Sequence, residues 1–106
     1  MKTRIGIVLA LVAASVALAY SGTREVLVLT TATTITRTVG MTAIELQNLG
    51  PSDIYCAPGD EVTADTGRRV DAEGGVWTMT GSQTVTCICP GGAQVAHAGT
   101  RVTELP

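Results

Sequence analysis

The sequence contains three cysteines and one histidine, the side chains that could form a disulfide or bind a metal ion. Cys87 and Cys89 are two residues apart in a stretch typical of a strand, so their side chains share one face. If the strand holding Cys56 lies alongside, either can form a disulfide with it, as an exported protein permits. All three could instead be small buried hydrophobic residues in a reducing compartment. A zinc site that adds His97 is conceivable, although Cys-x-Cys is not the usual spacing and no second half-site follows.

Trp77, the only tryptophan, is a candidate ligand contact, because an indole ring can stack on a sugar. Its neighbours Val76, Thr78 and Met79 are typical of a core strand. A core position is therefore the favoured interpretation, and ligand contact is the alternative.

No other residues suggest catalysis or a cofactor. Asp60, Glu61 and Asp65 offer hard oxygen ligands suited to calcium, but the spacing of an EF-hand is missing and acidic loop tips are usually solvated. His97 has no evident nucleophile beside it in sequence, and we interpret it as a histidine on the surface or edge of a strand. We predict a protein that is not an enzyme and has no cofactor and no catalytic or metal-binding residue.

The charge distribution argues against nucleic-acid binding. The chain has seven basic and nine acidic residues, a formal net charge of −2, and no basic stripe with aromatic residues beside it. Clustered basic side chains are what contact phosphate backbones, and aromatic residues beside them stack on exposed bases.

Beyond Arg24 the pattern predicts short strands separated by glycine-rich turns. We predict an all-β domain, a small antiparallel sandwich or barrel of about eight strands in meander order. The strands 43–48 and 53–57 are expected to form a hairpin. The predicted strands are 25–39 (one long strand, or two joined near 31–33), 43–48, 53–57, 68–72, 76–80, 83–89, 93–98 and 100–105.

The head of the chain predicts one hydrophobic N-terminal helix, and we divide the sequence into this helix, residues 1–24, and a β domain, residues 25–106. Residues 5–23 carry no charge and would reach roughly 28 Å as a helix, close to the thickness of a bilayer core. Three interpretations stay open: a signal peptide cleaved before Tyr20, a retained membrane anchor, or a helix buried in an assembly. The candidate anchor residues are Ile5, Val8, Leu9, Leu11, Val12, Val16 and Leu18.

The β domain is short of large core side chains. The chain has no Phe, one Trp and two Tyr. A domain this small gains little stability from burial alone, so we expect a homo-oligomer or docking on a larger body.

The stretch from Ile44 to Met79 resembles small β-rich proteins of bacteriophage virions, and the resemblance covers roughly residues 25–106. Their pattern is I-x-N-x-G-x-x-x-I-Y, then a glycine with V-T and T-G, then a glycine before an aromatic residue. The tail is similar to their closing strand through Arg101, Val102 and Glu104. The matching residues of the longer stretch are Gln47, Asn48, Gly50, Ile54, Tyr55, Gly59, Val62, Thr63, Thr66, Gly67, Gly75 and Trp77.

The resemblance implies a virion structural component, of the minor capsid, decoration or spike-base type, that contacts other virion proteins. A hydrophobic head departs from that family and implies a membrane-containing or exported virion, or a head buried between capsid subunits. The alternative function is an exported bacterial envelope or glycan-binding module with a cleaved signal peptide. The expected locations are therefore the virion or, alternatively, an exported or membrane-anchored extracytoplasmic position.

Overall fold

A computed structural model of the protein describes residues 22–106, and these residues form eight β-strands and no helix. The strands make a sandwich of two four-stranded sheets, ordered β1-β8-β3-β6 and β2-β7-β4-β5, in which all neighbours are antiparallel. The bounds are β1 (Gly22–Val26), β2 (Thr33–Thr36), β3 (Ala43–Asn48), β4 (Ile54–Pro58), β5 (Arg68–Val70), β6 (Gly75–Thr80), β7 (Thr84–Ile88) and β8 (Thr100–Leu105).

The predicted all-β class is confirmed, and alternation of apolar and polar residues located most strands well. In β3, Ile44 and Leu46 are fully buried, while Glu45 and Gln47 between them are partly exposed on the outer face. The first strand of the domain, β1, pairs along its whole length with residues 100–104 of the last strand, β8.

The predicted meander order was wrong, and so was the hairpin of residues 43–48 with 53–57. The strand β3 pairs with β6 and β8 in one sheet, and β4 pairs with β5 and β7 in the other. Because β3 and β4 belong to different sheets, the connection between them crosses from one sheet to the other. The Asn48 side chain secures this crossing, because its amide donates to the carbonyl of Ser52 at 2.8 Å.

The segment 93–98 was predicted as a strand but forms a turn. Its one ladder contact is the bridge between Val95 and Ala98, whose backbone groups hydrogen-bond at 3.0 Å. Gln94 is buried where strand alternation would have required an apolar residue. The turn also holds His97 in the left-handed region at φ 69°.

The stretch 25–39 contains two strands, β1 and β2, and they belong to different sheets. The strand β1 already begins at Gly22. Residues 22–24, which the sequence assigned to the hydrophobic head, therefore belong to the β domain, where they pair with β8. The anchor residues from Ile5 to Leu18 lie outside the described residues. Within residues 22–106 there is no helix that could cross a membrane.

The core between the sheets contains one disulfide. Cys56 of β4 and Cys87 of β7 lie directly opposite each other, with Cα atoms 4.1 Å apart, and are covalently joined. Cys89 is a buried free thiol, and burial raises its pKa. Of the three cysteine states open from the sequence, the structure has the single disulfide. The core residues are Val28, Ile35, Ile44, Leu46, Ile54, Cys56, Val70, Met79, Val85, Cys87, Cys89 and Val102.

One end of the sandwich holds a buried carboxylate. Glu104 is 3% exposed and accepts hydrogen bonds from the Arg24 guanidinium and the Thr38 amide. Burial by itself would raise the pKa of the Glu104 carboxyl, but those hydrogen bonds outweigh it and lower the pKa below its usual value. Through these two hydrogen bonds, Glu104 connects β8 to β1 and to the loop that follows β2.

The opposite end holds a buried network of neutral polar side chains, namely Asn48, Gln94 and Thr100. The Gln94 amide donates to Asn48 Oδ1 at 2.9 Å, and the Thr100 hydroxyl donates to Gln94 Oε1 at 2.9 Å. Backbone groups complete the network. The Val28 and Gly50 amides donate to Gln94 and Asn48, and the Val70 carbonyl accepts from Asn48. We call these three side chains the polar node.

Breaking the disulfide should lower stability substantially. The bridge joins residues separated by 31 positions, and a cross-link of this span contributes about 2–4 kcal/mol to the free energy of unfolding. Urea unfolding of a Cys56→Ala/Cys87→Ala variant should show this loss, with Cys89→Ala as the control that keeps the bridge. In denaturant without reductant, only Cys89 should be alkylated. Alkylation of Cys56 and Cys87 before reduction would contradict the disulfide.

Asn48→Ala should lower the free energy of unfolding by about 3 kcal/mol, because it leaves several buried backbone and side-chain groups without partners. The matched control is Gln47→Ala, on the outer face of the same strand, which should cost less than about 1 kcal/mol. Urea denaturation of both variants is the measurement. Equal losses would show that the polar node does not stabilise the crossing.

Candidate functional site

A groove of about 360 Å³ opens on the outer face of the first sheet, beside the edge strand β1. This volume is at the lower end of the range for small-molecule sites. The lining residues are Thr23, Arg24 and Glu25 of β1, Arg101 of β8, and Leu49 and His97 from loops.

The register of β1 and β8 places the charged side chains of the groove. Glu25 lies directly opposite Arg101, so both side chains project from the same face. On its other side Arg101 lies opposite Gln47 of β3, and its Nη1 donates to Gln47 Oε1 at 3.2 Å. Within residues 22–106 the ion pairs are Arg24 with Glu104 and Arg69 with Asp71, so Arg101 has a neutral hydrogen-bond partner and no ion pair.

Glu25 holds the loop that forms one wall of the groove. Its Oε2 accepts the His97 amide at 2.9 Å and the Gly99 amide at 3.3 Å. Two backbone amides directed at one carboxylate oxygen form a small anion-binding concavity, and Glu25 fills it. The position of His97 over the groove is therefore set by a residue of β1.

His97 has an unfavourable backbone conformation. A side chain at φ 69° lies in the left-handed region that glycine and asparagine adopt more readily. In the hydrogen-bonded turn Val95–Ala98, His97 stands third, where glycine is favoured if φ is positive. His97 is exposed and is one of the residues that line the groove.

The groove contains groups that can contact a ligand. They are the guanidinium groups of Arg24 and Arg101, the His97 imidazole, the Glu25 carboxylate and the apolar side chain of Leu49. The Thr23 hydroxyl of the groove is hydrogen-bonded to the Thr103 hydroxyl at 3.2 Å. Among residues 22–106 no three His, Cys, Asp or Glu side chains are grouped so that they could hold a metal ion.

The sequence-predicted site residues that the structure describes, the three cysteines and Trp77, lie outside the groove. Cys56 and Cys87 form the core disulfide and Cys89 is buried beside them. Trp77 is partly buried against the core, on β6 at the opposite edge of the sheet from β1. This position agrees with the core interpretation of Trp77.

Sequence reasoning missed Glu25 and Arg101 because they become neighbours only through the pairing of the first and last strands. The sequence predicts His97 on the surface or edge of a strand, whereas it lies in a turn. The nearby Gly99 was the one local signal of that turn.

His97→Gly should raise the free energy of unfolding by about 0.5–1 kcal/mol, because glycine adopts positive φ without the steric cost carried by histidine. The matched control is His97→Ala, which keeps a Cβ at the same φ and should give no gain. Thermal or urea denaturation of both variants measures this. A loss of stability in His97→Gly would show that the imidazole makes a stabilising contact.

Comparison with known proteins identifies no relative. No family model, no curated protein and no solved structure matches this chain. The resemblance to bacteriophage virion proteins therefore stays a prediction from the sequence, and function is inferred from the geometry of the sandwich and its groove.

Proposed function

We propose that this chain is a non-enzymatic structural protein of a virion, a minor capsid, decoration or spike-base component, fastened through its apolar N-terminal segment. The observation that supports this most is the bracing of the sandwich. One disulfide joins the neighbouring strands β4 and β7 within one sheet, while a buried carboxylate at one end and the polar node at the other connect the two sheets. Bracing of this kind gives a small domain rigidity, which a particle component needs.

The disulfide supports a location outside the reducing cytoplasm. Disulfides form and persist in secreted proteins, in the periplasm and on particle surfaces. Both proposed locations, a virion and an exported or membrane-anchored extracytoplasmic site, meet this condition.

The path of the chain supports attachment through the N-terminal segment. Gly22 begins β1, which pairs with β8 over five residues, and Arg24 is joined to the buried Glu104. A load applied to residues before Gly22 would pass directly into a hydrogen-bonded ladder and an ion pair. The candidate anchor residues, Ile5 to Leu18, would contact a membrane or other subunits.

Exposed apolar side chains support contact with neighbouring subunits. Four of the large exposed hydrophobic residues come from segments that meet at the end of the sandwich with the polar node. Leu27 and Leu29 flank Val28, whose carbonyl accepts a hydrogen bond from the Gln94 amide, and Val95 follows Gln94. The Leu49 amide donates to the Gly99 carbonyl, which brings Leu49 to the same end. Their exposed fractions are Leu27 37%, Leu29 46%, Leu49 37% and Val95 63%.

The alternative, an exported envelope or glycan-binding module with a cleaved signal peptide, is favoured by one observation, the groove beside β1. The candidate ligand contact Trp77 packs against the core and does not line this groove.

Purified particles from a host that produces the chain provide the test. The chain should co-purify at a fixed copy number per particle and resist removal by salt. Leu11→Lys, in the candidate anchor, should release it, because a charge opposes burial in lipid or a protein interface. Val39→Lys is the matched control, since Val39 is 90% exposed, and should leave incorporation unchanged. A free monomer beginning at Tyr20 and absent from particles would contradict the proposal.

A further inference from the structure

We propose that the groove beside β1 binds an acidic sugar, with Arg101 and His97 on its carboxylate, Glu25 on a hydroxyl, and Leu49 against the ring. This inference does not depend on a virion role, because it follows from the groove itself.

Arg101 supplies the charge for the carboxylate. Its side chain is held in place by the hydrogen bond to Gln47, a neutral group, and it has no ion-pair partner within residues 22–106. A guanidinium forms two parallel hydrogen bonds with a carboxylate, which adds directional specificity to charge attraction. The other arginine of the groove, Arg24, is already paired with Glu104.

Glu25 favours a sugar over a simple anion. Both of its hydrogen bonds within the described range go to Oε2, so Oε1 remains an acceptor for a hydroxyl group. Glu25 and Arg101 lie directly opposite each other on β1 and β8, so the Glu25 carboxylate would repel a multiply charged phosphate at Arg101 more strongly than a ligand with one negative charge. A ligand with one negative charge and several hydroxyl donors satisfies both side chains.

The conformation of His97 supports a role for its ring. Glycine would avoid the strain at this position, yet the chain has a histidine there, which is exposed and is one of the residues that line the groove. Strained backbone positions concentrate at ligand sites, where the surrounding structure maintains them. Glu25 maintains this one through the His97 and Gly99 amides.

Leu49 completes the complementarity. It is an exposed apolar side chain in the lining of the groove, 37% accessible. Sugar rings have an apolar C–H face, and burial of that face against Leu49 would release water from both surfaces.

The test uses the full isotope-labelled chain in detergent, titrated with sodium D-glucuronate and followed by the backbone amide signals of Ala98, Gly99 and Arg101. These signals should shift in a saturable manner. Arg101→Gln should weaken binding at least about tenfold, since a charge-assisted pair is lost. His97→Gly, which relieves backbone strain, should weaken binding while the domain stays folded. Arg69→Gln, an exposed arginine outside the groove, is the matched control and should bind as the natural chain does.

D-glucose provides the ligand control, because it keeps the hydroxyl groups and lacks the carboxylate. It should shift the same amides much less. Equal shifts with glucose, unchanged affinity in Arg101→Gln, or no glucuronate shift at the solubility limit would each overturn the proposal. None of these outcomes bears on incorporation into particles, so failure here is distinct from failure of the structural role.

Discussion

The buried side-chain amide of Asn48 is the interaction on which the arrangement of this sandwich depends. The strands β3 and β5 end near Asn48, where the chain passes from one sheet to the other. Backbone groups there are buried but have no hydrogen-bond partner on a neighbouring strand. Asn48 supplies this partner, binding the Ser52 and Val70 carbonyls and the Gly50 amide. A Cβ at Gly50 would lie 2.8 Å from the Ala98 carbonyl oxygen, so the turn beside Asn48 needs glycine. An unpaired buried amide is costly, so the crossing has little freedom to vary.

The groove depends on the same node. Gln94 joins Asn48 to Thr100 and fixes the start of the loop 93–99, while Glu25 fixes its end. The wall that carries His97 is therefore held from the core side by neutral hydrogen bonds and from the surface side by a carboxylate. Leu49 follows Asn48 directly and takes its position from it. A shallow surface feature is thus supported by one of the most buried parts of the domain.

These dependencies explain what the sequence could predict. Alternation of apolar and polar residues reports which face of a strand is buried, and it located β3 correctly. It carries no information on which strands pair, and for that reason the predictions of a hairpin and of a meander order were wrong. Asn48 and Gln94 are residue types that usually lie in turns or on the surface, yet both are buried. Their roles depend on contacts between segments that are distant in sequence. The sequence left the disulfide pairing undecided for the same reason, since the spacing of Cys56 and Cys87 does not show that β4 and β7 are neighbours.

The strand β1 links the two proposals physically. Its first residue, Gly22, receives the chain from the apolar segment, and its outward face lines the groove through Thr23 and Glu25. Any force on the attached segment would shear β1 along β8, to which it is held by the ladder and by the pair of Arg24 with Glu104. A ligand held by both Glu25 and Arg101 would bridge these two strands. Because it would bind only the paired arrangement, it would strengthen the ladder that carries the load.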